Sequence, residues 1–148
     1  MDGGYHKLEI YTLAYSLCVE IHKMTFQFPK FEMHEEGGQI GRSSKPVSSN
    51  IVEGFALRKY KNEFLHYLYR AYSSSEEPLE HLQFVFETKS LFDENLFNYL
   101  RNKVLRLNGK IFRFIQGVEK EHDTPVFLKE PEPEYRSEFP NEFFEPES

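Results

Sequence analysis

Tryptophan is absent from the 148 residues and cysteine occurs once, as Cys18. A lone thiol closes no internal disulfide and excludes a Cys-rich zinc module, so the fold must rest on packing. Long hydrophobic runs are also missing: none approaches the ~18 residues of a membrane-spanning helix, and no membrane role is expected. The opening Met1-Asp2-Gly3-Gly4-Tyr5-His6 has neither the basic nor the apolar region of a secretory leader. The expectation is a cytoplasmic protein. Glycine is sparse, and Gly37-Gly38 reads as a plain loop rather than a phosphate cradle. No ordering of Ser, His and Asp, or of Cys and His, supports a nucleophilic site. Ser73, Ser74 and Ser75 read as helix-surface or capping residues. The chain is therefore expected to be no enzyme and to carry no cofactor or metal.

Aromatic residues are what it has in quantity: 15 Phe and nine Tyr. The length suits one domain, and large rings can fill its core. The net charge of −6 is unevenly placed. Residues 123–148 hold eight acids, two bases and five of the eight prolines, which leaves residues 1–122 with 16 acids and 16 bases. Proline at that density excludes persistent helix or central strand, so 123–148 reads as an extended acidic tail. Its five aromatics, Phe127, Tyr135, Phe139, Phe143 and Phe144, are unusual for a purely solvated segment and are suited to pinning it onto a surface.

Residues 1–122 show spacings of three and four almost throughout. Ile10, Ala14, Leu17, Cys18, Ile21 and Met24 mark one helical face, and Cys18 within it reads as a small core hydrophobe. Ile40, Val47, Ile51 and Phe55 mark a second face; Phe64, Leu68, Ala71, Leu79 and Leu82 a third; Leu100, Val104, Leu107, Ile111, Phe114 and Val118 a fourth. Helices are expected near 6–28, 35–57, 60–90 and 93–121, the last opened by Asp93 as N-cap. Short connections between four amphipathic helices imply an all-α, antiparallel up-down four-helix bundle over 1–122. Pro46 should kink or break the second helix by depriving the Arg42 carbonyl of its donor. Pro78 either interrupts the third helix or sits in the first turn of a new one after Ser75-Glu76-Glu77.

Two basic groups stand out. Lys103, Arg106, Lys110 and Arg113 step by three, four and three, and no acid lies between residues 95 and 118. The stripe flanks the apolar one and is expected to face outward. Arg42, Lys45, Arg58, Lys59, Lys61 and Arg70 form the second group, offset by Glu53 and Glu63. Such stripes are ordinary solvated faces in many helical proteins. They are also what nucleic-acid binding requires, because phosphate contacts supply most non-specific affinity. All of these except Arg70 are the candidate nucleic-acid contacts. Glu63/His66 and Glu119/His122 match the Glu-x-x-His pairs of ferritin-like metal bundles. His66, however, lies opposite Phe64 and Leu68 on its helix, and His122 borders the tail.

Phe28-Pro29, Gln39-Ile40-Gly41-Arg42, Asn50-Ile51-Val52-Glu53-Gly54-Phe55, Arg58 and Glu63-Phe64 follow one another in a pattern that resembles a known family. These are the four-helix-bundle proteins encoded in intervening sequences of bacterial 23S ribosomal RNA genes, to which the accessory variability determinant of diversity-generating retroelements is related. The resemblance implies a small non-enzymatic homopentamer, with RNA or DNA and a protein among its partners. Within the motif, Asn50 and Glu53 share a helix face. Asn50 is expected to donate to a neighbouring helix and Glu53 to pair with Arg42 or Arg58, while Gly54 lets two helices approach. The competing expectations are a purely structural or protein-interaction bundle and a ferritin-like metal protein.

Overall fold

The computed structural model describes residues 4–30 and 35–121, apart from the side chain of Glu36. The acidic tail expected over 123–148 lies outside the described residues. Everything regular among them is helical, with no strand. A 3-10 turn, Tyr5–Lys7, leads into α1, Glu9–Thr25; then follow α2, Glu36–Ala56, α3, Lys61–Ser74, α4, Glu77–Glu87, and α5, Glu94–Lys120. α3 and α4 together fill the place of the expected third helix, so the all-α fold has four helical columns.

The helix ends have local causes. The Asp93 carboxylate accepts from the Leu96 N–H at 3.0 Å, the N-cap expected for α5. The third column breaks at Ser75-Glu76, before the proline. Pro78 is the second residue of α4, where no intrahelical donor is lost. The Ser75 hydroxyl donates to the Tyr72 carbonyl at 2.6 Å, and Asn108 of α5 donates to Ser75 at 2.8 Å, fastening the break to the neighbouring column. After α4, Lys89 takes φ 68° in the left-handed region that favours glycine.

Pro46 does not break α2, which is continuous across it over 21 residues. An interior proline costs ~3 kcal/mol or more. Ile40, Val47, Ile51 and Phe55 are all at least 98% buried on that helix. Burial of such side chains contributes about 1.5–3 kcal/mol each, enough to hold the helix through the missing bond.

The core runs the length of the molecule. Ile10, Leu17 and Ile21 of α1 join the α2 residues, Phe64 and Leu68 of α3, Leu82 of α4 and the full expected stripe of α5. Phe64 meets Phe114 edge to face at 6.1 Å, and Phe86 stacks on Phe97 at 4.2 Å. Polar contacts join the columns at several levels. Glu9 faces Lys110 while Glu20 faces Lys103 and Tyr99; Tyr69 faces Glu119 while Ser75 faces Asn108; His81 of α4 meets Ser43 early in α2.

Gly54 sits where α2 crosses α3. A Cβ there would lie 3.1 Å from the Tyr67 Cβ and 3.4 Å from the Phe64 carbonyl, both too near the backbone to swing away. Gly54→Val should therefore destabilise the fold by about 1–3 kcal/mol despite the better helix propensity, as overpacking does. Urea unfolding followed by circular dichroism measures it, and unchanged stability would show that the crossing can relax.

Candidate functional site

The α5 stripe is placed differently from its sequence expectation. Lys110 is 8% exposed, and its ammonium lies 3.3 Å from both carboxylate oxygens of Glu9, itself 7% exposed. Arg106 reaches the same carboxylate at 3.9 Å. Lys103 donates to Glu20 at 2.9 Å and to the Ser16 hydroxyl at 2.7 Å, and lies 5.6 Å from the Tyr99 ring centre. Tyr99 completes the cluster by donating to Glu20 at 3.1 Å. Lys103 and Lys110 thus face α1, while Arg106, half exposed, and Arg113 face solvent as the spacing indicates. The reason is a spacing on the other helix: Glu9 and Glu20 are 11 residues apart, about three turns, so α1 presents both on one face. Among the four cations, Arg113 is exposed and has no carboxylate in ion-pair range among the described residues.

The second basic group does not form one patch. Arg42 and Lys45 lie early on α2 and Lys59 and Lys61 beyond its far end, about 25 Å away at 1.5 Å per residue. Arg42, Lys45 and Lys59 are exposed, and Lys61 is half-buried. Arg58 is turned inward: it donates to the Phe55 carbonyl at 2.9 Å and lies 4.1 Å over the Phe55 ring. A cation there satisfies a terminal carbonyl and complements the negative end of α2. Arg70 stands 6.0 Å over Tyr67.

The Asn50/Glu53 pair is not a buried network. Asn50 donates to the Pro46 carbonyl of its own helix at 2.9 Å, not to a neighbouring helix. Glu53 is exposed, and no ion pair joins it to Arg42 or Arg58 among the described residues. Glu63 and His66 are exposed, and His122 lies outside the described residues. Among the described residues no three His, Cys, Asp or Glu side chains gather where they could hold a metal ion.

One polar contact had no sequence signal. His81 Nδ1 lies 3.0 Å from the Ser43 hydroxyl, which is buried and donates to the Ile40 carbonyl at 3.0 Å. With its proton engaged there, Ser43 accepts from the imidazole; the pair ties α4 to α2. Tyr69 donates to Glu119 at 2.7 Å, and this bond, more than burial, holds its phenol above the ordinary tyrosine range.

Large apolar side chains stay exposed at several places among the described residues, Phe84 and Phe92 included, and two such surfaces lie beside cations or on a helix face. Between α1 and α2 runs a mainly apolar groove lined by Tyr15, Cys18, Val19 and Phe26, with Arg42 and Lys45 at its edge. Tyr15 and Phe26 are 56% and 64% exposed. On the other side, Leu105 and Phe112, two turns apart on the outer face of α5, are also exposed, and Tyr72 of α3 packs 5.7 Å from the Phe112 ring.

The model of one protein family, described as 23S rRNA-intervening sequence protein, matches residues 6–113. No curated protein and no solved structure matches the chain.

Lys110→Met, which leaves the buried Glu9 carboxylate only Arg106 at 3.9 Å, should cost about 3 kcal/mol in chemical denaturation, the lower end for removing one partner of a buried pair. Adding Glu9→Gln should restore more than half of that loss. A double variant as unstable as the single one would show that the pair acts by geometry and not by charge compensation.

Proposed function

The chain belongs to the 23S rRNA-intervening sequence protein family, and from that premise we propose that it is a non-enzymatic, self-assembling helical adaptor. We read its four columns as an antiparallel up-down bundle, in keeping with the opposite chain order of the contacts between neighbours. The observation that carries the assembly is the outer face of α5. Leu105 and Phe112 are 42% and 44% exposed on a helix whose inner stripe is complete without them. Apolar side chains aligned over two turns, and continued by Tyr69 and Tyr72 of α3, make a face that association would remove from water. A homopentamer is the state that the family resemblance implies.

Nucleic acid is the partner favoured by the remaining charge. Arg42, Lys45, Lys59, Lys61 and Arg113 have no carboxylate in ion-pair range among the described residues, in contrast to Lys103 and Lys110. A ring would present each of them once per subunit, so weak phosphate contacts would add along a strand. The α5 stripe expected from the sequence would contribute mainly Arg113 and the half-exposed Arg106.

Sedimentation of the full chain should give an oligomer, and Leu105→Asp with Phe112→Asp should give a helical monomer. A monomeric parent protein would overturn the assembly. In fluorescence anisotropy with a 20-nucleotide RNA at low salt, Arg42→Ala with Lys45→Ala should weaken binding at least threefold and flatten the salt dependence by about one to two contacts. Absence of binding by the parent chain would leave a bundle that acts through protein contacts alone.

A further inference from the structure

The α1–α2 groove is both apolar and cationic at its rim, and among the described residues it is open. A Cβ at Gly41, on its α2 side, would meet nothing within 4 Å. Arg42 and Lys45 stand at the edge without a carboxylate in range among the described residues, whereas Lys103, Arg106 and Lys110 of α5 are engaged by Glu9 and Glu20. An occupant that suits this surface carries large rings for Tyr15, Val19 and Phe26 and carboxylates for the two cations.

The chain contains such a segment outside the described residues. Glu138-Phe139-Pro140-Asn141-Glu142-Phe143-Phe144-Glu145 has three aromatic rings, three acids and no base. We propose that residues 138–145 of the chain's own C-terminal tail dock in the α1–α2 groove, rings inward and glutamates against Arg42 and Lys45.

Geometry permits this within one subunit. Lys110 is level with Glu9, so the end of α5 lies about 15 Å beyond that level and Cys18 about 14 Å on its other side, at 1.5 Å per residue. Adding one or two interhelical spacings of ~8–10 Å gives a path of roughly 40–50 Å. The 18 residue steps from Glu121 to Phe139 span up to about 60 Å. Tethering gives the segment a high effective concentration at the groove, so a modest contact suffices to fill it. Exposed ion pairs contribute little, and the rings therefore provide most of the anchoring. A docked tail would also cover two of the cations assigned to phosphate, placing tail and nucleic acid in competition. The docking itself does not depend on that assignment.

Cys18 lines the groove and is the chain's only cysteine, which makes it a reporter in the otherwise unaltered protein. The alkylation rate of Cys18 by N-ethylmaleimide, a small neutral probe, is measured on the full chain without nucleic acid. Phe139→Ser with Phe143→Ser and Phe144→Ser should raise the rate at least threefold, independently of protein concentration. Glu138→Gln with Glu142→Gln and Glu145→Gln should raise it by a smaller factor. A ratio below three for the triple Phe variant overturns the proposal. So does protection that grows with protein concentration and survives that variant, since a second copy would then cover the groove. Because no nucleic acid is present, failure here leaves the RNA-binding test untouched.

Discussion

Glu9 and Lys110 meet at the seam of α1 and α5, 101 residues apart in sequence and both nearly out of solvent. Lys110 has no other carboxylate in ion-pair range among the described residues, and Glu9 has besides it only Arg106, at 3.9 Å. A buried carboxylate or ammonium without compensation costs several kcal/mol, so the two helices are held to the register that brings the pair together. Sliding α5 by one turn, ~5.4 Å, would part Lys110 from Glu9 and bring Arg106 or Arg113, one turn away on the same stripe, towards the carboxylate in its place. The apolar stripes alone specify that helices pack; the contacts of Lys110 with Glu9 and of Lys103 with both Glu20 and Ser16 together favour one register.

The same seam decides the electrostatic character of the surface. Sixteen bases and sixteen acids in residues 1–122 cancel formally, and the α5 stripe shows where part of that cancellation happens. Lys103 and Lys110 are used to join helices. Of the candidate contacts, the surface keeps some at separate places: Arg42 and Lys45 on α2, Lys59 and Lys61 at the α2–α3 turn, Arg106 and Arg113 on α5. Contacts with an anionic partner are therefore distributed, and become strong only if copies of the chain bring several such places to one strand.

How far the sequence reveals this differs with the type of information. Apolar periodicity is a property of one helix, and the α5 stripe from Leu100 to Val118 is found buried as its spacing indicates. The Asp93 cap is similarly local. The direction faced by Lys110 is not local. Its helix carries no acid between residues 95 and 118, and only packing against α1 shows that an acid awaits it. Glu9 and Glu20 at three-turn spacing offered a signal, but a weak one, since nothing in sequence says which helix lies alongside. Asn50 fails for a different reason. Three-residue spacing places it on a face with Glu53, yet a carbonyl four residues back in its own helix satisfied its amide first.

The two prolines illustrate how context settles what a local rule leaves open. Pro78 forbids an intrahelical donor, and the chain accommodates it by ending α3 at Ser74 and starting α4 at Glu77, so that the missing donor falls in a first turn. Pro46 has no such exit, because Ile40 and Val47 on either side of it are both committed to the core. Breaking α2 there would release one half of the helix from the apolar face shared with α1. The lost hydrogen bond is the smaller cost, and the helix stays whole. That continuity keeps Gly41, Arg42 and Lys45 on the same helix as Ile51 and Phe55. A groove edge that meets solvent is thereby mounted on the most completely buried part of α2.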